Sequence, residues 1–190
     1  MGYRDTAADT ISRALHPLVV AVPLSALFLA TAGLPLSVVY RWTATTIAVV
    51  VLPLAVYMYR EEGYSLREPN DREHRERLYL IGMMELAVFG VLIYLSDLPA
   101  TVETVFLGAA LTVAAGSLIN ERTKVSIHTG AMSSFAVAFY FHSAAIAATL
   151  ALGTVAAGWS RLQLERHTKS QVLIAGLLPV FTMGVPLALL

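Results

Sequence analysis

The chain has 190 residues, 57% of them hydrophobic and only 14% charged, whereas a soluble domain is roughly half apolar and about a quarter charged. Lys and Arg balance Asp and Glu at 13 each, so net charge gives no reason to expect a nucleic-acid partner. The sequence has no cysteine, which excludes disulfides, thiolate metal sites and a cysteine nucleophile.

The apolar excess has to face hydrocarbon, and apolar runs recur along nearly the whole chain at the length of ~20 residues that a helix needs to cross ~30 Å. The opening segment MGYRDTAADT lacks the apolar stretch and small-residue cleavage site of a signal peptide. Spans are expected at 15–33, 38–59, 78–96, 100–119, 127–141, 143–160 and 171–189. The fifth and sixth nearly touch. They are divided near Phe141-His142-Ser143, because one unbroken helix would overshoot the membrane and return the chain to the wrong side. A count of six spans is the alternative. Prolines inside several spans (Pro17, Pro23, Pro53, Pro179, Pro186) are tolerated where neighbours re-satisfy the freed carbonyls. Small residues crowd Gly108-Ala109-Ala110, Ala114-Ala115-Gly116 and 144–151, as close helix–helix contact requires. The expected fold is an all-α, polytopic membrane helical bundle of six or seven transmembrane helices, one integral membrane domain over residues 1–190.

Alternating the spans sends the N-terminus and the connections at 60–77, 120–126 and 161–170 to one face. Twelve of the 13 Lys and Arg fall there, leaving Arg41 opposite. The positive-inside rule makes that face and the N-terminus cytoplasmic in a multi-pass protein of the cell membrane, although an anion site would also gather cations.

Three segments carry polar chemistry on this face. The first, 60–77, alternates acids and bases, and for most of its charges a solvated, salt-bridged loop is the simple account. The second, Arg122 to Gly130, ends one apolar run and opens the next. Backbone N–H groups at that helix start, with Lys124 and the Ser126 hydroxyl, make an anion cradle. The third runs from Trp159 to Gln171, with Arg161 closing one helix and His167 at the start of the next. A lone membrane histidine is usually a packed interfacial residue, and His16 and His142 are read that way. His128 and His167 each stand beside a cation where a helix begins. A neutral imidazole can attack phosphorus near neutral pH, and a protonated one can supply the leaving oxygen with a proton. Glu85, about two turns inside the third span, is either functional or a hydrogen-bonded structural acid.

Ser160-Arg161, five residues and His167 resemble the third signature, SRxxxxxHxxxD, of the type 2 phosphatidic acid phosphatase family. Ser126-Ile127-His128-Thr129 is similar to the second, PSGH, with Val125 at the proline and Ile127 at the glycine. The first, KxxxxxxRP, is echoed loosely by Arg77, with Asn70 at the lysine and Leu78 at the proline. The resemblance covers roughly residues 60–185 and implies a helical membrane core with a phosphohistidine mechanism that uses no metal or other cofactor. By that implication His167 is the nucleophile and His128 the acid for the departing alcohol. Arg161, Ser126 and cations of the first segment then bind the substrate phosphate, with Lys124 of the anion cradle beside them on the residue reading alone. Arg72 and Arg77 are the choices in that segment, with Arg60 and Arg67 as the alternative pair. Gln171 stands where the family has an aspartate, and would orient the imidazole without supplying charge. Glu165 or Asp71 are alternative acids for that role.

The leading expectation is therefore a phosphatase acting on a lipid phosphate, either a polyprenyl phosphate or diphosphate or a phosphatidic-acid-like lipid, whose tail stays in the bilayer. A non-catalytic lipid-binding protein of the same fold is the second reading, and a transporter, hinted at by Glu85 and the proline-broken spans, the third. The oligomeric state is open, a homo-oligomer included.

Overall fold

The computed structural model describes residues 3–62 and 72–190. It is all-helical. In chain order the elements are α1 (Tyr3–Ala14), α2 (Pro17–Thr31), α3 (Leu36–Thr46), a π-helical turn (Ile47–Val51), α4 (Leu52–Glu62), α5 (Arg72–Tyr94), α6 (Ala100–Asn120), α7 (Ile127–Tyr140), α8 (Ala144–Gln163), α9 (Lys169–Pro179), a second π-helical turn (Val180–Gly184) and α10 (Val185–Ala188). Only helices satisfy their own backbone in hydrocarbon without a closed barrel, so a chain this apolar has little other choice.

Among the described residues five arms are long and apolar enough to cross a membrane, namely Leu36–Arg60, His74–Tyr94, Ala100–Asn120, Ala144–Gln163 and Lys169–Ala188. The pair α1 and α2, bent by 49° at their junction, makes a sixth if counted as one broken span. The bundle is thus the one expected, with one difference in detail. The fifth expected span is α7, whose 14 residues extend about 21 Å at 1.5 Å per residue, short of the hydrocarbon thickness. Instead α7 is a largely enclosed arm, with His128, Thr129, Met132, Ser133, Ala138 and Phe139 buried.

Both π-helical turns have the same local cause. Pro53 and Pro186 each lie four residues beyond the middle of a π turn, at Val49 and Thr182. A proline cannot donate to the carbonyl four residues back and collides with it, and a widened turn accommodates both effects.

The core lies between the arms. Phe28 meets Phe139 edge to face at 5.7 Å, and Trp42 meets Phe89 at 5.3 Å. A Cβ added at Gly108 would stand 2.8 Å from the Met183 backbone, so α6 and the second π turn touch nearly main chain to main chain. Leu80, Met84, Val88 and Val91 along α5 are exposed, as are Leu107, Leu111 and Leu118 along α6. In a membrane these are lipid-facing surfaces.

Candidate functional site

The polar residues gather at one end of the bundle, where α5, α7 and α9 start and α4, α6 and α8 end. Hydrogen bonds between segments distant in sequence close this end. Arg75 Nε donates to Asn120 Oδ1 at 3.2 Å, Lys124 Nζ to the Arg166 carbonyl at 3.3 Å, and Gln171 Nε2 to Thr123 Oγ1 at 3.4 Å. Arg161 Nη1 donates to Ser12 Oγ at 3.0 Å, and Gln163 Nε2 to Asp5 Oδ1 at 3.3 Å.

The second segment is organised by a cap. Ser126 has extended backbone, and its Oγ accepts from the Thr129 N–H at 3.4 Å while meeting Thr129 Oγ1 at 3.0 Å. This satisfies one of the orphan donors at the start of α7 and fixes His128 in the first turn, 1% exposed. The hydroxyl expected to hold phosphate is engaged in the cap.

The third segment is a Schellman turn. Arg166 N–H reaches back to the Arg161 carbonyl at 3.0 Å and Glu165 N–H to Leu162 at 3.0 Å, with Glu165 at φ 54° in the left-handed position that usually takes glycine. His167 N–H also points at the Arg161 carbonyl, at 3.3 Å. The backbone of Arg161 thus holds the turn that carries His167, while its side chain is pinned to α1. Both side chains are buried, at 3% and 7% exposure. Glu165, an alternative acid, is exposed.

Gln171 closes a capping box on α9. Its Oε1 accepts from Thr168 N–H at 3.1 Å while Thr168 Oγ1 accepts from Gln171 N–H at 3.4 Å. With Nε2 on Thr123, the side chain ties the third segment to the second.

In the first segment the expectation needs correcting. Among the described arginines of this segment, Arg77 and Arg60 are exposed and Arg75 is buried, at 8% exposure. The reason is helical phase. On α5 the inward face runs through Arg75, Tyr79 and Glu85, and Arg77 lies about 200° around the axis from Arg75 at 100° per residue. The side chain of Arg72, together with all of Arg67 and Asp71, lies outside the described residues.

Two contributors are absent from the sequence reading. One is α1, a helix whose Ser12 accepts from Arg161. The other is His16, read as interfacial but 4% exposed, with its ring edge to face on His128 at a centroid distance of 4.9 Å and an interplanar angle of 85°. These two histidines line a cavity of about 150 Å³ that is walled otherwise by apolar groups of α2, α4, α5 and α6, such as Leu54, Met58 and Val113, and by Tyr79. His142 packs against Phe28 at the opposite end, consistent with an interfacial position. Glu85 is buried at 6% exposure beside the Leu54 backbone, without a hydrogen bond of good geometry. Among the described residues no group of three or more His, Cys, Asp or Glu is placed to hold a metal ion.

The polar end of the apolar bundle thus carries the imidazoles of His16, His128 and His167 with the cations Arg75, Lys124 and Arg161; ring packing joins His16 to His128, and backbone hydrogen bonds join Arg161 to the turn that carries His167. Such a set can bind an anion and exchange protons with it. No protein-family model, no curated protein and no solved structure matches this chain.

Proposed function

We propose that this protein is a membrane lipid-phosphate phosphatase. His167 attacks the terminal phosphorus, the bond from that phosphorus to the leaving oxygen of the lipid alcohol, or of the lipid monophosphate in a diphosphate, breaks, and His128 gives that oxygen a proton. Water, deprotonated by His128, then cleaves the phosphohistidine and restores both histidines. Arg161 holds the equatorial phosphoryl oxygens, where charge accumulates in the transition state. Lys124 adds positive charge, and Arg75 replaces Arg77 as the first-segment cation close to the site. The substrate keeps its apolar tail in the bilayer and brings its head to the basic face, which the charge asymmetry assigns to the cytoplasm.

One observation carries this reading. Arg161 and His167 are buried together on a single turn, at the bundle end where His128 is also buried. A guanidinium held in a site of low dielectric binds a phosphate oxygen more strongly than one in water, so a buried arginine beside a buried histidine suits an anionic substrate head. The resemblance of the same residues to a phosphatase signature gives the arrangement its chemistry. Gln171 favours the second reading, a lipid-phosphate binder without turnover, since it supplies no negative charge to stabilise an imidazolium.

The test is phosphate release by the detergent-solubilised chain from polyprenyl phosphates, polyprenyl diphosphates and phosphatidic acid, with and without a chelator. Release that persists in chelator supports the proposal. Binding of these lipids with no release from any of them selects the second reading.

A further inference from the structure

His16 sits at the junction of α1 and α2, and its chemistry is set by the helix it starts. Position N1 of α2 is Pro17, which has no N–H, so Leu18 carries the first orphan donor. That N–H donates to His16 Nδ1 at 3.2 Å. An imidazole nitrogen that accepts a hydrogen bond holds a lone pair, so the cap commits the ring to its neutral form with the proton on Nε2. Protonating His16 would place a hydrogen on Nδ1 and turn the cap into a clash of two donors.

The ring is also packed edge to face on His128, 4.9 Å between centroids, with both side chains almost wholly buried. Two imidazoles this close cannot both carry charge cheaply, so at most one of the two rings is an imidazolium at a time. The cap decides which one. Other titratable or charged groups act on both rings together. Tyr79 of α5 lines the same cavity, Arg75 lies one turn from it, and Arg161 of α8 reaches Ser12 one turn before His16. The cavity walls from α4 and α6 are Leu54, Met58 and Val113, and the buried Glu85 of α5 lies beside the Leu54 backbone.

We propose that His16 is a positioning residue of the phosphate site, a neutral imidazole locked in its Nε2–H tautomer by the α2 cap, which orients His128 and leaves the site's exchangeable proton on it. The proposal rests on the phosphatase reading for the use made of that proton, whereas the tautomer and the site of protonation are properties of the protein alone.

The full chain in detergent, with ¹⁵N-labelled histidine, gives the direct measurement. His16 should show an unprotonated Nδ1 and a protonated Nε2 across the whole pH range in which His128 titrates. Protonation of His16 at or above the pH at which His128 takes up its proton would overturn the proposal, as would the opposite tautomer. His16→Asn retains a good capping acceptor without the imidazole, so its melting temperature should stay near that of the parent. The His128 titration midpoint should move in this variant, and an unmoved midpoint overturns the proposal. On a lipid phosphate that the parent hydrolyses, kcat should fall about tenfold or more in His16→Asn with KM little changed, as misplacement of an acid predicts. Unaltered kcat and pH profile there would make His16 a cap and nothing more. An inactive parent in which His128 titrates while His16 keeps its neutral Nε2–H form would count against the phosphatase reading alone.

Discussion

Replacing Arg161 by methionine separates the two roles that this residue combines. Its backbone carbonyl accepts from Arg166 and His167 and so holds the Schellman turn, and methionine leaves that intact. Its guanidinium, 3% exposed and bonded to Ser12 at 3.0 Å, is lost, while an unbranched stem of similar length still fills the space. Losing a charge-assisted hydrogen bond costs about 1.5–3 kcal/mol, but the variant also escapes the penalty of burying a cation, which is several kcal/mol. The two oppose one another, so net stability should change by no more than about 1–2 kcal/mol. Catalysis has no such offset. A charged donor aimed at the transition state is worth about 3–4 kcal/mol, a factor of about 10² to 10³ in rate. Phosphate release under steady-state conditions gives kcat and KM, and the fluorescence of Trp42 and Trp159 during heating gives the melting temperature. A folded Arg161→Met protein with kcat/KM within about threefold of the parent would refute the reasoning and leave Arg161 as a structural cation.

Gly108→Ala should lower the melting temperature with a loss of about 1–3 kcal/mol or more, because the added carbon would stand 2.8 Å from the Met183 backbone; an unchanged melting temperature would mean that the two arms separate at no cost. Gln171→Glu keeps the capping box, which glutamate serves as well as glutamine, and brings a carboxylate to the position where the resembled family has one. Stability should be preserved and phosphate release raised, and reduced release in a folded protein would count against an orienting role there. With no native cysteine to interfere, Asp97→Cys and Glu121→Cys report the two ends of the bundle to a membrane-impermeant thiol reagent. Labelling from outside at position 97 and not at 121 is expected, and the reverse would place the basic face outside.

The helical arms were readable because a bilayer enforces a minimum apolar run, so spans at 78–96, 100–119 and 143–160 fall close to α5, α6 and α8. Alternation alone then brought the three polar segments to one end, with no knowledge of side-chain packing. The remainder needed information that lies outside any local window. Whether Arg75 or Arg77 turns inward depends on the phase of α5, and charged residues at a helix start carry no apolar stripe from which to read it. The α1 helix is short and polar, and its inward face is defined by Arg161 and Gln163, roughly 150 residues away along the chain. His16 offered one overlooked signal, a side-chain acceptor directly before Pro17 at the head of an apolar run, which is the pattern of a helix cap. Its contact with His128 had no counterpart in the sequence. Gln171 was visible as a departure from a signature, but its capping box was equally visible, since Thr168 and Gln171 stand at N-cap and N3 spacing.

The central claim is that His167 forms a bond to phosphorus. It is tested most directly by mixing the purified chain with a lipid phosphate labelled in its phosphoryl group, quenching during turnover and locating the label on the protein. Acid-labile label on His167 is expected in the parent, and neither label nor phosphate release in His167→Ala, which should still bind the lipid. Full phosphate release by His167→Ala, or label retained on another residue of that variant, would contradict it.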